Sequence, residues 1–114
     1  CPLSEVPDWL SRCQVCFNLV RESSPYSDII PGRIYEYLST GKPVGSMLWP
    51  DQVEPFPDVI YGACSPQEFT RLCGQALEED RSWVAQRRRS YGQAASWSAR
   101  SADVLQILST AGLL

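Results

Sequence analysis

The chain has 114 residues and a net charge of −3, and 44% of its residues are hydrophobic, which places it among ordinary globular proteins. This length suits one small domain with a single core rather than two domains. The lack of a basic excess argues against nucleic acid as a partner, and no apolar run approaches the roughly 18 residues of a membrane-spanning helix.

Hydrophobic periodicity predicts helices and strands that alternate along the chain and end in a helical tail. A continuous apolar run predicts a buried strand, and proline-rich polar segments predict loops at 21–27 and 47–57. In chain order the predicted elements are a helix at 7–12, a strand at 14–20, a helix at 31–40, strands at 43–46 and 59–61, and helices at 66–77, 81–94 and 97–109.

Residues with specific capping roles mark two helix boundaries. Gly41 follows the helix at 31–40, where a glycine commonly ends a helix in the left-handed conformation. Ser65, Pro66 and Glu68 form the pattern of a capping box. The last helix is expected to turn an apolar face toward the core. That inner face comprises Trp97, Val104, Leu105 and Leu108.

Strands that alternate with helices imply a parallel sheet with right-handed crossovers. We therefore predict an α/β fold, half of a Rossmann-like domain, with a small three-stranded parallel sheet flanked by helices and a helical C-terminal tail. Residues 1–114 form a single domain in this interpretation. A chain that begins with Cys1 rather than methionine is expected to be a fragment of a longer protein.

The start of the helix at 31–40 is a candidate anion site. A helix start leaves backbone N–H groups unpaired and carries roughly half a positive charge. Ile30, which precedes Pro31, is a poor cap, so the N–H groups of Gly32 and Arg33 are available for a phosphate or diphosphate. Glu36, one turn further along, is placed to accept hydrogen bonds from vicinal hydroxyls such as those of a ribose.

A simpler interpretation of these residues stays open. Asp28 or Ser27 would cap the helix, and Glu36 would be a solvated residue opposite the apolar face. The chain would then be a non-catalytic Rossmann-like interaction or nucleotide-binding domain. As an interaction domain it would show no saturable effect of nucleotides on its melting temperature. A ligand that binds only the folded state must raise the melting temperature.

One stretch in the middle of the chain resembles a known motif. Asp28 and Glu36 are separated by seven residues, and Glu36 opens the run Glu-Tyr-Leu-Ser-Thr-Gly-Lys-Pro-Val, which ends at Val44. This run is similar to the nucleotide-sugar segment of retaining GT-B glycosyltransferases, in which two acids are separated by seven residues and the second opens a run like E-(Y/A)-(L/M)-A-x-G-(K/T)-P-V. Other segments that resemble the family, in the same order, are 3–20, 59–80 and 95–100.

The resemblance implies a role for each matching residue. In the family the second acid holds the ribose of the donor nucleotide, which corresponds to Glu36. The first acid contacts the transferred sugar at the catalytic centre, which corresponds to Asp28; the family usually has the longer glutamate there. The diphosphate-binding backbone corresponds to Ile30, Pro31, Gly32 and Arg33.

The resemblance also implies an activity. The full-length protein would be a hexosyltransferase-type enzyme that moves a sugar from a nucleotide-diphosphate donor to a saccharide or lipid-linked acceptor. In the family, the N-terminal acceptor domain and the basic residues that neutralise the leaving diphosphate lie upstream of the part that this chain matches. We therefore expect the chain alone to be inactive, and the resemblance implies no cofactor.

Five cysteines and no histidine set the expectations for location and metals. An odd number of irregularly spaced cysteines argues against a secreted disulfide framework and for the cytoplasm. The inner face of the membrane is the alternative location. Cys13 and Cys16 would need Cys64 and Cys73 to complete a zinc site, and the nine-residue spacing of the second pair argues against one. We therefore predict no metal ion.

Two further features carry predictions. The basic run from Arg87 to Arg89 is expected to be a solvated helix face, with attraction to an anionic membrane surface as the alternative. Trp49 lies in a proline-rich loop and is predicted to line the ligand cleft.

Overall fold

The computed structural model describes residues 1–19, 30–47, 50–79 and 82–114, which build a three-stranded sheet with helices packed against it. In chain order the elements are a 3₁₀ turn at Leu3–Glu5, α1 (Val6–Arg12), β1 (Cys16–Asn18), α2 (Gly32–Thr40), β2 (Val44–Ser46), α3 (Pro50–Val53), β3 (Ile60–Gly62), α4 (Pro66–Leu77), α5 (Ser82–Ala94) and α6 (Trp97–Thr110).

The sheet confirms the predicted α/β fold. Its strand order is β1-β2-β3, and both neighbouring pairs are parallel. The chain ends in helices α5 and α6, as the predicted helical tail requires. At the carboxyl ends of the strands, the residues that lie side by side are Asn18, Ser46 and Gly62.

Opposite faces of the sheet pack against different helices. On one face, Val44 of β2 packs with Ile34 and Leu38 of α2, and all three are fully buried. Burial of one such side chain contributes about 1.5–3 kcal/mol. On the other face, Phe17 of β1 meets Phe69 of α4, with ring centroids 5.5 Å apart. Side chains alternate along a strand, so the two faces carry separate contacts.

Two glycines shape the surroundings of α2. Gly41 ends the helix with φ of 77°, the left-handed conformation predicted for it. Gly92 of α5 lies against α2, and a Cβ there would come within 2.8 Å of the Ser39 backbone. The close packing of α5 on α2 therefore depends on the absence of a side chain at Gly92.

The start of α4 confirms the predicted capping box. Ser65 Oγ accepts a hydrogen bond from the Glu68 N–H at 3.1 Å, and Pro66 occupies the first turn. The Glu68 carboxylate accepts from the Cys64 N–H at 2.9 Å, one residue before its usual partner in this motif. A serine cap of this kind stabilises a helix by about 1 kcal/mol.

Lys42 joins the end of α1 to the turn that follows α2. Its Nζ donates to the carbonyl oxygens of Leu10, Ser11 and Cys13 at 2.5, 2.7 and 2.5 Å. Carbonyls in the last turn of a helix lack intrahelical partners, and a positive charge is favourable beside them. The lysine of the Gly-Lys-Pro-Val run therefore has a structural role.

The segment 47–57, predicted as a loop, contains the single-turn helix α3. That prediction was wrong in part because a proline at the first helical position does not interrupt a helix. Trp49 and the predicted loop at 21–27 lie outside the described residues.

The predicted solvated basic face does not form. Arg88 is only 1% exposed, whereas Arg87 and Arg89 are exposed. Three successive residues of a helix point in directions about 100° apart, so the run cannot present one charged face. This weakens the argument for attraction to a membrane surface. Within the described ranges, no helix has the length and apolarity to cross a membrane.

Arg88 instead centres a buried polar network. Its Nη1 and Nη2 donate to Glu79 Oε2 and Oε1 at 2.6 and 2.8 Å, and its Nε donates to the Val59 carbonyl at 2.9 Å. The Tyr61 hydroxyl donates to Glu79 Oε1 at 2.7 Å. A bidentate arginine–carboxylate pair combines charge with fixed geometry, and here it ties α5 to β3 and the end of α4.

The predicted inner face of α6 is wrong. Trp97 is 89% exposed, Val104 and Leu105 are more than half exposed, and Leu108 is partly buried. None of the helix's residues, all in the described part of the chain, is buried. The helix packs on α5 rather than on the sheet.

Candidate functional site

The carboxyl ends of the strands form the edge at which ligands bind in open α/β sheets. Helix α2 begins on this side. It ends at Thr40, close to the start of β2 at Val44. Its nine residues are about 13 Å long and run antiparallel to the strands. The predicted anion site at the start of α2 therefore lies on the ligand side of the sheet.

The start of α2 has no side-chain cap. The capping position is Pro31, which has an extended backbone (φ −65°, ψ 141°). Ile30, predicted as the cap, lies one residue earlier and packs against the core. The Ile34 N–H donates to the Pro31 carbonyl at 3.0 Å, but those of Gly32 and Arg33 meet no acceptor among the described residues.

Space and positive charge accompany these N–H groups. A Cβ added at Gly32 would have no heavy atom within 4 Å, so a ligand can approach the backbone closely. Arg33 is exposed. Burial raises the pKa of the Tyr37 phenol above its ordinary value, and the nearby Arg33 charge opposes that shift. The helix start thus offers backbone donors, and the charge of Arg33 lies near the Tyr37 hydroxyl, one turn further along the helix.

Glu36 lines a groove of about 820 Å³ between α1 and α2. This volume is within the range of small-molecule sites, which are mostly apolar with a few placed polar groups. The apolar walls of the groove are formed by Leu3, Val6, Pro7 and Leu10.

Most polar side chains of the groove already have partners. The hydroxyls of Ser11, Ser39 and Thr40 each donate to a backbone carbonyl at 2.7 Å, and Lys42 donates to three carbonyls. The Glu36 carboxylate is exposed and has no hydrogen bond or ion pair with another described residue. It is therefore the charged acceptor that the groove offers to a ligand's hydroxyl groups.

The structure brings part of the predicted site together. Gly32, Arg33 and Glu36 lie on one helix, and the rise from Gly32 to Glu36 is about 6 Å. The groove reaches Glu36, but its lining does not include Gly32 or Arg33. Asp28 lies outside the described residues, so its contact with the transferred sugar stays a prediction.

Sequence reasoning missed a buried polar pair at the same edge of the sheet. Asn18 and Ser46 are fully buried, and Asn18 Nδ2 donates to Ser46 Oγ at 2.9 Å. Asn18 Oδ1 is buried without a hydrogen-bond partner among the described residues. The available signal was one amide within the apolar run of a predicted strand.

All five cysteines are free thiols. Burial raises the pKa of the Cys16 thiol, the neighbouring Cys13 adds to the shift, and Lys42 opposes it; a raised pKa disfavours the thiolate that metal binding and redox chemistry need. In the parts of the chain that the structure describes, no three His, Cys, Asp or Glu side chains are grouped to hold a metal ion.

No protein-family model matches the chain, and neither do curated proteins or solved structures.

Proposed function

We propose that this chain is the donor-binding part of a glycosyltransferase. The full-length enzyme moves a sugar from a nucleotide-diphosphate sugar to a saccharide or lipid-linked acceptor, and this chain alone is inactive. One observation carries the proposal: the Glu36 carboxylate, which lies one turn from the uncapped start of α2, lines a mostly apolar groove. The likeness of residues 28–44 to GT-B enzymes gives the same assignment.

In this proposal the two parts of the site bind different parts of the donor. The apolar walls of the groove hold the nucleoside, and Glu36 accepts hydrogen bonds from the ribose hydroxyls. The N–H groups of Gly32 and Arg33 bind the diphosphate at the positive end of the helix dipole. The same donors stabilise the charge that develops on the leaving diphosphate. Asp28 contacts the transferred sugar.

The location belongs to the same proposal. The free cysteines suit a reducing compartment, so we place the enzyme in the cytoplasm, at the inner face of the membrane if its acceptor is lipid-linked. Contact with the membrane surface rests on Arg87 and Arg89, because Arg88 is buried.

The competing function is a non-catalytic interaction domain, which the exposed apolar residues of α6 favour. Exposed apolar patches often mark protein contacts. This alternative gives Glu36 and the start of α2 no ligand. The two functions therefore differ in whether a nucleotide binds the folded chain at all.

Isothermal titration of the chain with UDP, GDP and ADP separates the two functions. We expect one of them to bind and Glu36→Ala to weaken that binding about tenfold or more, since a hydrogen bond to a charged group contributes about 1.5–3 kcal/mol. Glu78→Ala, which removes an exposed carboxylate just after the end of α4, is the matched control. Equal affinities of the two variants would contradict the role of Glu36. If none of the three nucleotides binds the wild-type chain, the result favours the interaction domain.

A further inference from the structure

Asn18 and Ser46 stand at the end of the sheet, on the side that α2 covers. They are the last residues of β1 and β2 and lie opposite each other in the parallel register. Val44, two residues before Ser46, points to the same face and packs against Ile34 and Leu38 of α2. The pair therefore lies beneath the end of α2 at which the unpaired N–H groups begin.

The backbone carbonyls of the pair do not depend on its side chains for hydrogen bonds. The Met47 N–H donates to the Asn18 carbonyl at 3.1 Å, and the Ala63 N–H donates to the Ser46 carbonyl at 2.9 Å. The backbone carbonyls of both residues are thus paired by other strands and turns. The side chains form one hydrogen bond with each other, and one end of the Asn18 amide stays without a described partner.

An unpartnered amide end in a protein interior is unfavourable, because the group loses its water without a replacement. Leucine has the same branched side-chain skeleton as asparagine, and alanine would replace the serine without a cavity large enough to matter. An apolar pair would therefore fill this position without an unpaired group. Stability does not explain the polar pair, and a ligand that supplies the missing partner does.

We propose that Asn18, oriented by Ser46, binds the sugar of a nucleotide-diphosphate sugar, with its Oδ1 accepting a hydrogen bond from a sugar hydroxyl. This rests on the proposed function. An ionised diphosphate has only acceptors and cannot satisfy Oδ1, whereas a sugar hydroxyl beside it can donate. The backbone N–H groups of Gly32 and Arg33 take the diphosphate, and the amide takes the group attached to it. Because the amide is buried, the surrounding chain must move for the sugar to reach it.

The inference makes affinity depend on the sugar. UDP, GDP and ADP are compared by titration with UDP-glucose, GDP-mannose and ADP-glucose on the wild-type chain and on the double variant Asn18→Leu/Ser46→Ala. We expect the double variant to bind the preferred sugar nucleotide about tenfold more weakly, and the matching nucleoside diphosphate with less than about a twofold change. In urea it should unfold at the same or a higher concentration than wild type, since an unpaired buried polar group has been removed.

Each other outcome has a definite meaning. Equal affinity of wild type and double variant for every sugar nucleotide, or a lower unfolding midpoint with unchanged affinities, overturns the role of Asn18 and leaves the donor site intact. Failure of all six compounds to bind wild type overturns the proposed function as well. If the double variant does not fold, Ser46→Ala, which deletes one oxygen, serves instead. It should lower sugar-nucleotide affinity several-fold, and unchanged affinity would contradict the proposal.

Discussion

Breaking the buried pair between Arg88 and Glu79 should remove a large share of the protein's stability. Both side chains are at most 6% exposed, and the guanidinium donates to both carboxylate oxygens and to the Val59 carbonyl. Arg88→Met leaves a buried carboxylate with less compensation, which costs about 3–5 kcal/mol. A domain of this size has roughly 6–17 kcal/mol in total, so the variant should unfold far more easily.

Urea unfolding followed by circular dichroism measures this loss. With a slope of about 2 kcal/mol per molar, a loss of 4 kcal/mol lowers the midpoint by about 2 M. Arg87→Met is the matched control. It removes the neighbouring exposed arginine and should change the unfolding free energy by less than about 0.5 kcal/mol.

A double-mutant cycle tests whether the two charges act together. The loss in Arg88→Met/Glu79→Gln should be smaller than the sum of the two single losses by about 1–3 kcal/mol, because neither single charge is then left alone. Losses below about 1 kcal/mol for each single variant, typical of surface ion pairs, would refute the argument that burial makes this pair strong.

Three further predictions concern single residues. Lys42→Met should lower the unfolding free energy by about 1–2 kcal/mol in urea, because the end of α1 loses a charged donor to three carbonyls; an unchanged midpoint would contradict the role of Lys42. Gly41→Ala should lower the unfolding free energy by about 1–2 kcal/mol, because the residue has a left-handed φ of 77°. Gly74→Ala, in open space within α4, should raise it by about 0.5–1 kcal/mol. Equal effects of the two substitutions would exclude backbone strain at Gly41. Iodoacetamide at pH 8 should label the exposed Cys64 before Cys16, because burial raises the pKa of Cys16 and leaves less thiolate at that pH. Mass spectrometry of peptides shows the order of labelling, and simultaneous labelling would contradict this prediction.

Local patterns were sufficient to predict much of the fold. Hydrophobic periodicity predicted the helix at 31–40, and Gly41 predicted its end. Ser65 and Glu68 predicted the start of α4. Each signal lies within a few residues of the structure that it predicts, because helix periodicity and capping are set by neighbours in the chain.

Two of the errors concern contacts between distant residues. The burial of Arg88 depends on Glu79 and on the carbonyl of Val59, 29 residues away, and a run of three arginines carries no sign of these partners. The apolar residues of α6 predicted an inner face, but their spacing does not identify what covers it. Residues such as Trp97 therefore stay exposed in this chain.

The candidate site divides in the same way. An uncapped helix start and a carboxylate one turn later could be predicted from the order of Pro31, Gly32 and Glu36. The groove beside Glu36 could not, since its other wall belongs to α1, far away in sequence. Asn18 and Ser46 were missed because parallel register, rather than sequence distance, brings them together.

The attachment of α1 by Lys42 has a mechanical consequence. The lysine holds the helix at its carboxyl end, around Leu10 to Cys13, whereas no residue of α1 or of the turn before it is buried. The segment from Leu3 to Arg12 is about 15 Å long, so a tilt of about 5° around this anchor moves Leu3 by about 1 Å. Such a tilt would change the width of the groove, because Leu3 forms part of its apolar wall.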